Sequence, residues 1–377
     1  MSQTIKRITV NTGGGDAPGL NAVIYSVVHA ANRFGWQVFG IREGYDGMLF
    51  PERYPEGGVV ELSCESVKNI PHLGGTMLGT TNRGNPFHVL EKSAGGVVET
   101  DQSDRVLQAF RDRKIDAHVA VGGDGSLTIA LQLHRKGLRV IGVPKTIDND
   151  LGATVATFGF STAVSFATEC LDRLHMTAQA HCRILVVEVM GRYAGWIALN
   201  AGMASDVHAI LIPEIPFRLE PVAALITYRE QHGAKFSIVC AAEGARPVGG
   251  DFSIVGKSPG QAERLGGIGA KVAVELERMT GREARTVVLG HLLRGGSPTS
   301  FDRLLGLRFG AAAVRALDEG KSGVMVALNP PTVDYVPLAE ATRRQKRVPL
   351  DCDSILTARD VGINFGDEMP SHTTIGR

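Results

Sequence analysis

The chain has 377 residues, 44% of them hydrophobic, and a formal net charge of +1. That length allows two domains with buried cores, and scattered charges of both signs exclude a basic nucleic-acid-binding block or an acidic tail. Five widely spaced cysteines (Cys64, Cys170, Cys182, Cys240, Cys352) form no C-x-x-C pair, which disfavours a zinc ribbon or a disulfide framework and suits a reducing compartment. The first ten residues lack a signal-peptide core and no apolar run reaches membrane length, so a soluble, cytoplasmic protein is expected.

Arg7–Val10 reads as the first strand. It runs into Asn11-Thr12-Gly13-Gly14-Gly15-Asp16-Ala17-Pro18-Gly19, and a helical pattern follows from Ala22 to Asn32. Strand, glycine-rich turn and helix is the arrangement that cradles phosphate. Glycines let backbone N–H groups approach oxygens, and a helix N-terminus adds positive potential. The pattern is neither G-x-G-x-x-G nor a P-loop, and a plain tight turn is the alternative. Trp36–Ile41 reads as a strand and Gly44–Gly47 as a turn. Leu73–Phe87 is a polar, Gly-rich loop with several hydroxyls and Arg83, a composition that more often serves a site than a core. Gly96–Asp101 reads as a surface excursion and Ser103–Lys114 as a helix. His118–Val121 is a strand entering Gly122-Gly123-Asp124-Gly125-Ser126, with Ser126 the expected N-cap of a helix over Leu127–Lys136. An Asp in a phosphate cradle implies a metal. Mg²⁺ suits it, because that ion binds through one or two carboxylates plus phosphates; a helix start with a capping Asp is the alternative.

Val140–Val143 is a buried strand that ends in Pro144-Lys145-Thr146-Ile147-Asp148-Asn149-Asp150. In open α/β sheets ligands bind outside the carboxyl ends of strands. If the backbone stays extended, Thr146, Asp148 and Asp150 point the same way. Two like charges on one face repel unless a cation or a proton lies between them. The stretch is therefore a metal-assisted site, a carboxylate base, or a polar turn. The segment Gly159–Ala163, then a helix to Met176 and a short loop at Ala178–His181, follow. Arg183–Met190 is a strand leading to Gly191 and Arg192, where an arginine beside glycine can grip an anion bidentately, or simply lie on the surface. Further strands are His208–Pro213, Phe236–Ala242 (ending at Glu243), Thr286–Leu289 (leading to His291 and Arg294) and Val324–Leu328. Arg218–His232, Ala270–Met279 and Asp302–Leu317 read as helices, Gly250–Gly267 as a loop, and the residues after Asp367 as a tail. Strands alternating with helices argue for parallel sheets covered on both faces.

The strand ends thus carry phosphate cradles, the carboxylates Asp124, Asp148, Asp150 and Glu243, one histidine, and Arg183, Arg192, Arg285 and Arg294. That set suits phosphoryl transfer to a phosphorylated acceptor held by arginines, with one Asp taking the acceptor hydroxyl's proton. The motifs Gly13–Gly19, Gly122–Ser126, Thr146–Asp150, Met190–Arg192 and Gly290–Asp302, in this order and spacing, resemble the 6-phosphofructokinase family over about Ile8 to Asp367. A nicotinamide-dependent dehydrogenase lacks support because the first βα turn has no G-x-G-x-x-G. A silent sugar-phosphate binder would be free to lose Asp124, Asp148 and Arg192, all of which are present.

The resemblance implies an α/β fold of two similar doubly wound, largely parallel-sheet domains with the active site in the cleft between them. Residues 1–159 plus 293–340 would bind nucleotide, and 160–292 plus 341–377 would bind sugar phosphate. It implies Mg²⁺-dependent transfer from ATP to the 1-hydroxyl of fructose 6-phosphate, a glycolytic step, in a homodimer or homotetramer with shared sites. Asp148 matches the general base, Thr146 a contact to the transferring phosphoryl, and Asp150 a residue that helps order the metal site. Asp124 matches the metal-associated aspartate, and Gly14 and Gly123–Ser126 the nucleotide phosphate site. Arg192 matches a transition-state arginine, with Met190 and Gly191 lining the sugar. Glu243, His291 and Arg294 match sugar-phosphate contacts, and Arg183 and Arg285 match arginines that reach a neighbour's 6-phosphate.

Three departures stand out. The loop Gly79–Gly84 is one residue longer than in well-known bacterial members, which makes Arg83 the expected phosphate-binding arginine. Tyr25 and His29 stand where allosteric members carry arginines. Lys145 resembles pyrophosphate-using members, whereas Gly125 stands where those carry Asp. A Gly there leaves room for a nucleotide's α-phosphate, so ATP is the expected donor and pyrophosphate the alternative.

Overall fold

The computed structural model describes residues 5–93, 96–256 and 263–370. The chain divides into two compact units. The first comprises Met1–Ile147, Leu151–Ser161 and Arg294–Gln345; the second comprises Asp148–Asp150, Thr162–Leu293 and Lys346–Arg377. Elements are numbered in chain order through both.

The first unit holds β1 (Arg7–Thr12), β2 (Gln37–Ile41), β3 (Val59–Leu62), a hairpin of β4 (Val89–Ser93) and β5 (Gly96–Thr100), β6 (Ala117–Gly122), β7 (Val140–Pro144), β14 (Val324–Asn329) and β15 (Thr332–Pro337). Its helices are α1 (Leu20–Arg33), the single turn α2 (Asp46–Leu49), α3 (Ser103–Asp112), α4 (Asp124–Arg135), α9 (Ser300–Asp318) and α10 (Leu338–Ala341). Seven strands form one sheet in the order β15-β14-β7-β6-β1-β2-β3. The interior pairs are parallel, and β3 and β15 close the two edges antiparallel. The pleat sends alternate residues to opposite faces. Val119, Val121, Ile141 and Val143 pack with Leu20, Val23 and Ile24 of α1 and Leu305 and Phe309 of α9. Ala120 and Val140 pack with Val106 and Phe110 of α3 and Leu127 and Leu133 of α4. Helices therefore cover both faces, as the alternation of elements predicts. Helices α1 and α9 approach closely because glycine stands at their contact. A Cβ at Gly310 would lie 2.6 Å from the Val23 carbonyl oxygen.

The second unit holds β8 (Ile184–Val189), β9 (Ala209–Leu211), β10 (Ser237–Ala242), a ribbon of β11 (Ile254–Gly256) and β12 (Arg264–Leu265), and β13 (Ala284–Val288). Its helices are α5 (Phe160–His181, whose first two residues count with the first unit), α6 (Trp196–Ala204), α7 (Leu219–Gln231), α8 (Ile268–Thr280) and α11 (Asp353–Asp360). The four-stranded sheet runs β13-β8-β10-β9 and is parallel throughout. Ile184, Val186, Val239 and Ala241 pack against Val222 and Ile226 of α7 and Val272 and Leu276 of α8. Glu188, buried on β8, accepts from the N–H groups of Gly267 (3.0 Å) and Gly269 (2.7 Å) and so fixes the start of α8.

Several expectations need correction. Gly44–Gly47 leads into the helical turn α2, and Gly96–Asp101 is half of a hairpin. Ala178–His181 stays helical and turns only at Cys182, whose φ is 52°. Ser126 does not cap α4: the helix starts at Asp124, with Gly123 as N-cap. The Gly250–Gly267 loop contains the β11–β12 ribbon, with residues 257–262 outside the described set. The end of the expected tail, 371–377, also lies outside it. The edge strands β3 and β15 leave little signal in the sequence, because their residues are largely exposed or half-exposed and carry no continuous apolar run.

Two buried histidines give the fold a pH dependence. His118 lies between Thr9 Oγ1 (2.8 Å) and the Tyr45 hydroxyl (3.2 Å), and His208 accepts from the Ile238 N–H (2.9 Å). Burial lowers both imidazoles to about 3. The unfolded value is near 6.5. Between pH 6.5 and 3 the unfolded chain binds more protons, so stability is lost as pH falls through that window. Each histidine should contribute about 1.4 kcal/mol per pH unit there. Chemical unfolding at pH 7 and pH 5 should show a lower midpoint at pH 5, and His118→Gln should make the difference smaller. Equal midpoints would refute it.

Candidate active site

In the first unit, neighbouring parallel strands β1 and β6 end side by side, and each runs into glycines. The Gly13 N–H donates to the Val121 carbonyl at 2.9 Å, which locks the first turn to the end of β6. The Gly14 N–H donates to the Thr81 carbonyl at 3.1 Å, and the Thr80 hydroxyl donates back to the Gly14 carbonyl at 2.6 Å. Residues 79–82 are thereby stitched to the first turn. Lys145, 3% exposed, joins both turns: its ammonium donates to the Gly15 carbonyl and its backbone N–H to the Gly122 carbonyl at 2.9 Å. A Cβ at Gly14, where φ is 77°, would lie 3.4 Å from Lys145 Nζ, 3.6 Å from Ser126 Oγ and 4.0 Å from Asn82 Oδ1. Gly14, Ser126, Lys145 and Asn82 thus form one cluster. Arg83 is exposed, and of this loop's side chains it is Asn82 that a Cβ on Gly14 would approach. Arg294 donates to the Asp16 carbonyl at 3.0 Å, which puts it beside this first turn.

Helix α4 opens the second cradle. Asp124 is its first residue, and the N–H groups of a first turn point outward to anions. A Cβ at Gly125 meets nothing within 4 Å, so the space beyond it is open. Thr146 follows β7, and its carbonyl accepts from the Thr157 hydroxyl at 2.7 Å.

In the second unit, the expected acceptor residues gather at the carboxyl ends of adjacent strands. Met190, Gly191 and Arg192 follow β8; Glu243 follows β10; His291 follows β13. The Glu243 N–H donates to the Val189 carbonyl (2.8 Å) and the Gly244 N–H to the Gly191 carbonyl (3.1 Å), tying the two turns together. Arg192 donates to the Glu263 carbonyl, and its guanidinium lies 5.3 Å from the Tyr193 ring. His291 is exposed. Arg183 and Arg285 stand at the opposite, amino ends of β8 and β13, where both pair with Glu283. Arg183 and Met190 are therefore separated by the length of β8, roughly 20 Å at about 3.3 Å per residue.

Asp148, Asn149 and Asp150 also belong to the second unit. The stretch is not extended: it turns at residues 147–148, and Asn149 is left-handed with φ 51°. The extended backbone that would aim Thr146, Asp148 and Asp150 the same way is therefore absent. Thr146, Asp148 and Asp150 stay partly exposed while the turn buries Ile147 and Asn149. Lys346, far off in sequence, is half-buried behind this loop, and burial pushes its ammonium down to about 8 against the pull of Asp150.

The phosphofructokinase family model matches residues 7–317. An ATP-dependent 6-phosphofructokinase from Chloroflexus aurantiacus is 48% identical over 98% of this chain and 100% of its own. The chain belongs to the phosphofructokinase family. A pyrophosphate–fructose 6-phosphate 1-phosphotransferase from Amycolatopsis mediterranei is 47% identical over 92% of this chain and 97% of its own. Among solved structures, phosphofructokinase from Saccharomyces cerevisiae superposes with a TM-score of 0.75 at 28% identity, covering 90% of this chain and 45% of the yeast chain. Family membership accounts for the mixed α/β architecture with its large, mostly parallel sheet.

The residues fit the metal the family implies. Among the described residues no three His, Cys, Asp or Glu side chains cluster as a metal cage. Mg²⁺ does not need one, since it keeps several waters and takes one or two carboxylates plus substrate phosphates. Asp124, at a helix start beside a glycine with open space before it, offers such a carboxylate.

The two glycines of this cradle should respond oppositely to a methyl group. A Cβ at Gly122 would overlap the Ser126 side chain, approaching Oγ to 2.5 Å, so Gly122→Ala must displace the first turn of α4. It should cost about 1–3 kcal/mol in chemical unfolding. Gly125→Ala should change stability by less than about 1 kcal/mol, in the stabilising direction. Equal effects would refute this reading of the cradle.

Proposed function

We propose that this protein is a 6-phosphofructokinase that transfers the terminal phosphoryl group of ATP to the 1-hydroxyl of fructose 6-phosphate. Asp148 takes the proton of that hydroxyl as general base. Thr146 touches the transferring phosphoryl group, and Arg192 offsets the charge that builds on it. Gly123, Gly125 and Ser126 receive the donor phosphates through backbone N–H groups at the end of β6, and Gly14, whose own N–H is taken by the Thr81 carbonyl, lines the site from the end of β1. When bound at Asp124, Mg²⁺ neutralises charge on those phosphates. Met190, Gly191, Glu243, His291 and Arg294 hold the sugar phosphate. No helix among the described residues is long and apolar enough to cross a membrane, and the chemistry suits a cytoplasmic glycolytic enzyme.

The open space beyond Gly125 carries the choice of donor. A nucleotide's α-phosphate and ribose need that space, and pyrophosphate ends before it. The pyrophosphate reading rests on Lys145, which supports either donor's charge. Wild type should use ATP well and pyrophosphate poorly at saturating fructose 6-phosphate and Mg²⁺. Gly125→Asp would set a carboxylate against the α-phosphate, a repulsion of about 4 kcal/mol for unit charges about 4 Å apart at intermediate dielectric. It should cut kcat/KM for ATP by orders of magnitude and raise the pyrophosphate-to-ATP ratio. A wild type that prefers pyrophosphate would reverse the assignment.

Arg183 and Arg285 serve a neighbouring subunit in a homodimer or homotetramer. Their position at the amino ends of β8 and β13, a strand's length from Met190, supports this reading. Arg285→Ala should raise KM for fructose 6-phosphate more than it lowers kcat. Hybrids of Arg285→Ala and Asp148→Ser subunits should regain activity, because some sites then carry neither lesion. Verified hybrids that stay inactive would argue against a shared site.

A further inference from the structure

Lys346 lies nearly two hundred residues beyond the Asp148 loop and meets it at two points. Its backbone N–H donates to the Asp150 carbonyl at 2.7 Å. Its Nζ donates to Asn149 Oδ1 at 3.0 Å. Its carbonyl accepts from the Trp196 indole N–H at 3.0 Å, and Nζ lies 5.8 Å from the Trp196 ring. Two residues on, the Val348 N–H donates to Glu214 at 2.9 Å, and both oxygens of that carboxylate lie 3.1 Å from the Gly195 N–H. Gly195 and Trp196 open α6 directly after the turn that carries Arg192. Residues 346–348 therefore lace the Asp148 loop to the Arg192 turn through hydrogen bonds in the second unit.

A packing role alone does not call for a lysine. An apolar side chain would fill the same space without the cost of desolvating an ammonium. The lysine adds a directional donor at Asn149, the residue immediately after Asp148. Asn149 sits in the left-handed region, where asparagine is tolerated better than most side chains. The turn leaves Asp148 and Asp150 partly exposed while Asn149 itself stays 6% exposed. Anchoring Asn149 Oδ1 fixes that turn, and with it the direction of the Asp148 carboxylate.

We infer that Lys346 is a positioning residue for the general base, holding the Asp148–Asp150 loop in register with the Arg192 turn. The inference rests on the proposed function above. Misplacement of a reacting group by about 1 Å can cost up to about 10²-fold in rate. Lys346→Met, which keeps the stem and removes the donor, should lower kcat by about tenfold or more. KM for fructose 6-phosphate and for ATP should stay within about threefold, because the groups that bind substrate are untouched. Asn149→Gly, which accepts the left-handed backbone and removes the acceptor, should reproduce the loss.

The deciding measurement is a double-mutant cycle. In an Asp148→Ser background, adding Lys346→Met should lower the residual rate by less than about twofold, since the group it positions is gone. A tenfold further loss in that background would mean that Lys346 acts elsewhere. A Lys346→Met enzyme with near-normal kcat would also overturn the inference. If Lys346→Met does not fold, Asn149→Gly carries the test, and a normal kcat there overturns it equally. A wild type inactive on fructose 6-phosphate with either donor would instead defeat the proposed function.

Discussion

The first unit depends on a close approach that only glycine permits. Strands β1 and β6 lie side by side in parallel register, so their carboxyl ends deliver two turns to the same place. The Gly13 N–H already reaches across to the Val121 carbonyl, and a side chain on Gly13 would come 2.6 Å from Ser126 Oγ. Into the remaining gap goes the buried Lys145, whose donors take carbonyls from both turns. Backbone groups that would otherwise be left unmatched gain partners, and positive charge is added where phosphate is expected. The start of α4 at Asp124 adds the positive end of a helix dipole at the end of β6.

The second unit builds its site from side chains. A carboxylate on a strand holds the start of a helix, as Glu188 does for α8, and Glu214 does the same for α6 from the segment after β9. These acids, Glu188 buried and Glu214 half-buried, fix the turns that open the two helices. Lys346 extends the scheme to the Asp148 loop. Main chain suits a site for phosphates, which look alike from many sides. Oriented carboxylates and arginines suit a sugar, which must present one hydroxyl.

Much of this was legible in the residues. The buried runs of β1, β6, β7, β8 and β10 and the glycines after β1 and β6 marked the strand ends, and the strand ends marked the site. The reading failed where local signals were weak or pointed two ways. Ser126 has the chemistry of an N-cap, but Gly123 takes that place, and the serine turns to the Gly13–Gly14 turn instead.

The sequence by itself determined the α/β class, the family and the identity of the chemical groups. Short apolar runs, glycine turns and acidic residues at strand ends are written locally and need no knowledge of what folds against them. Tertiary structure alone decided which groups share a place. It put Arg294 against Asp16 and brought Lys346 to Asn149. Each pairing joins elements distant in the chain, and such contacts form only when sheets and helices have packed, because no local propensity encodes the partner.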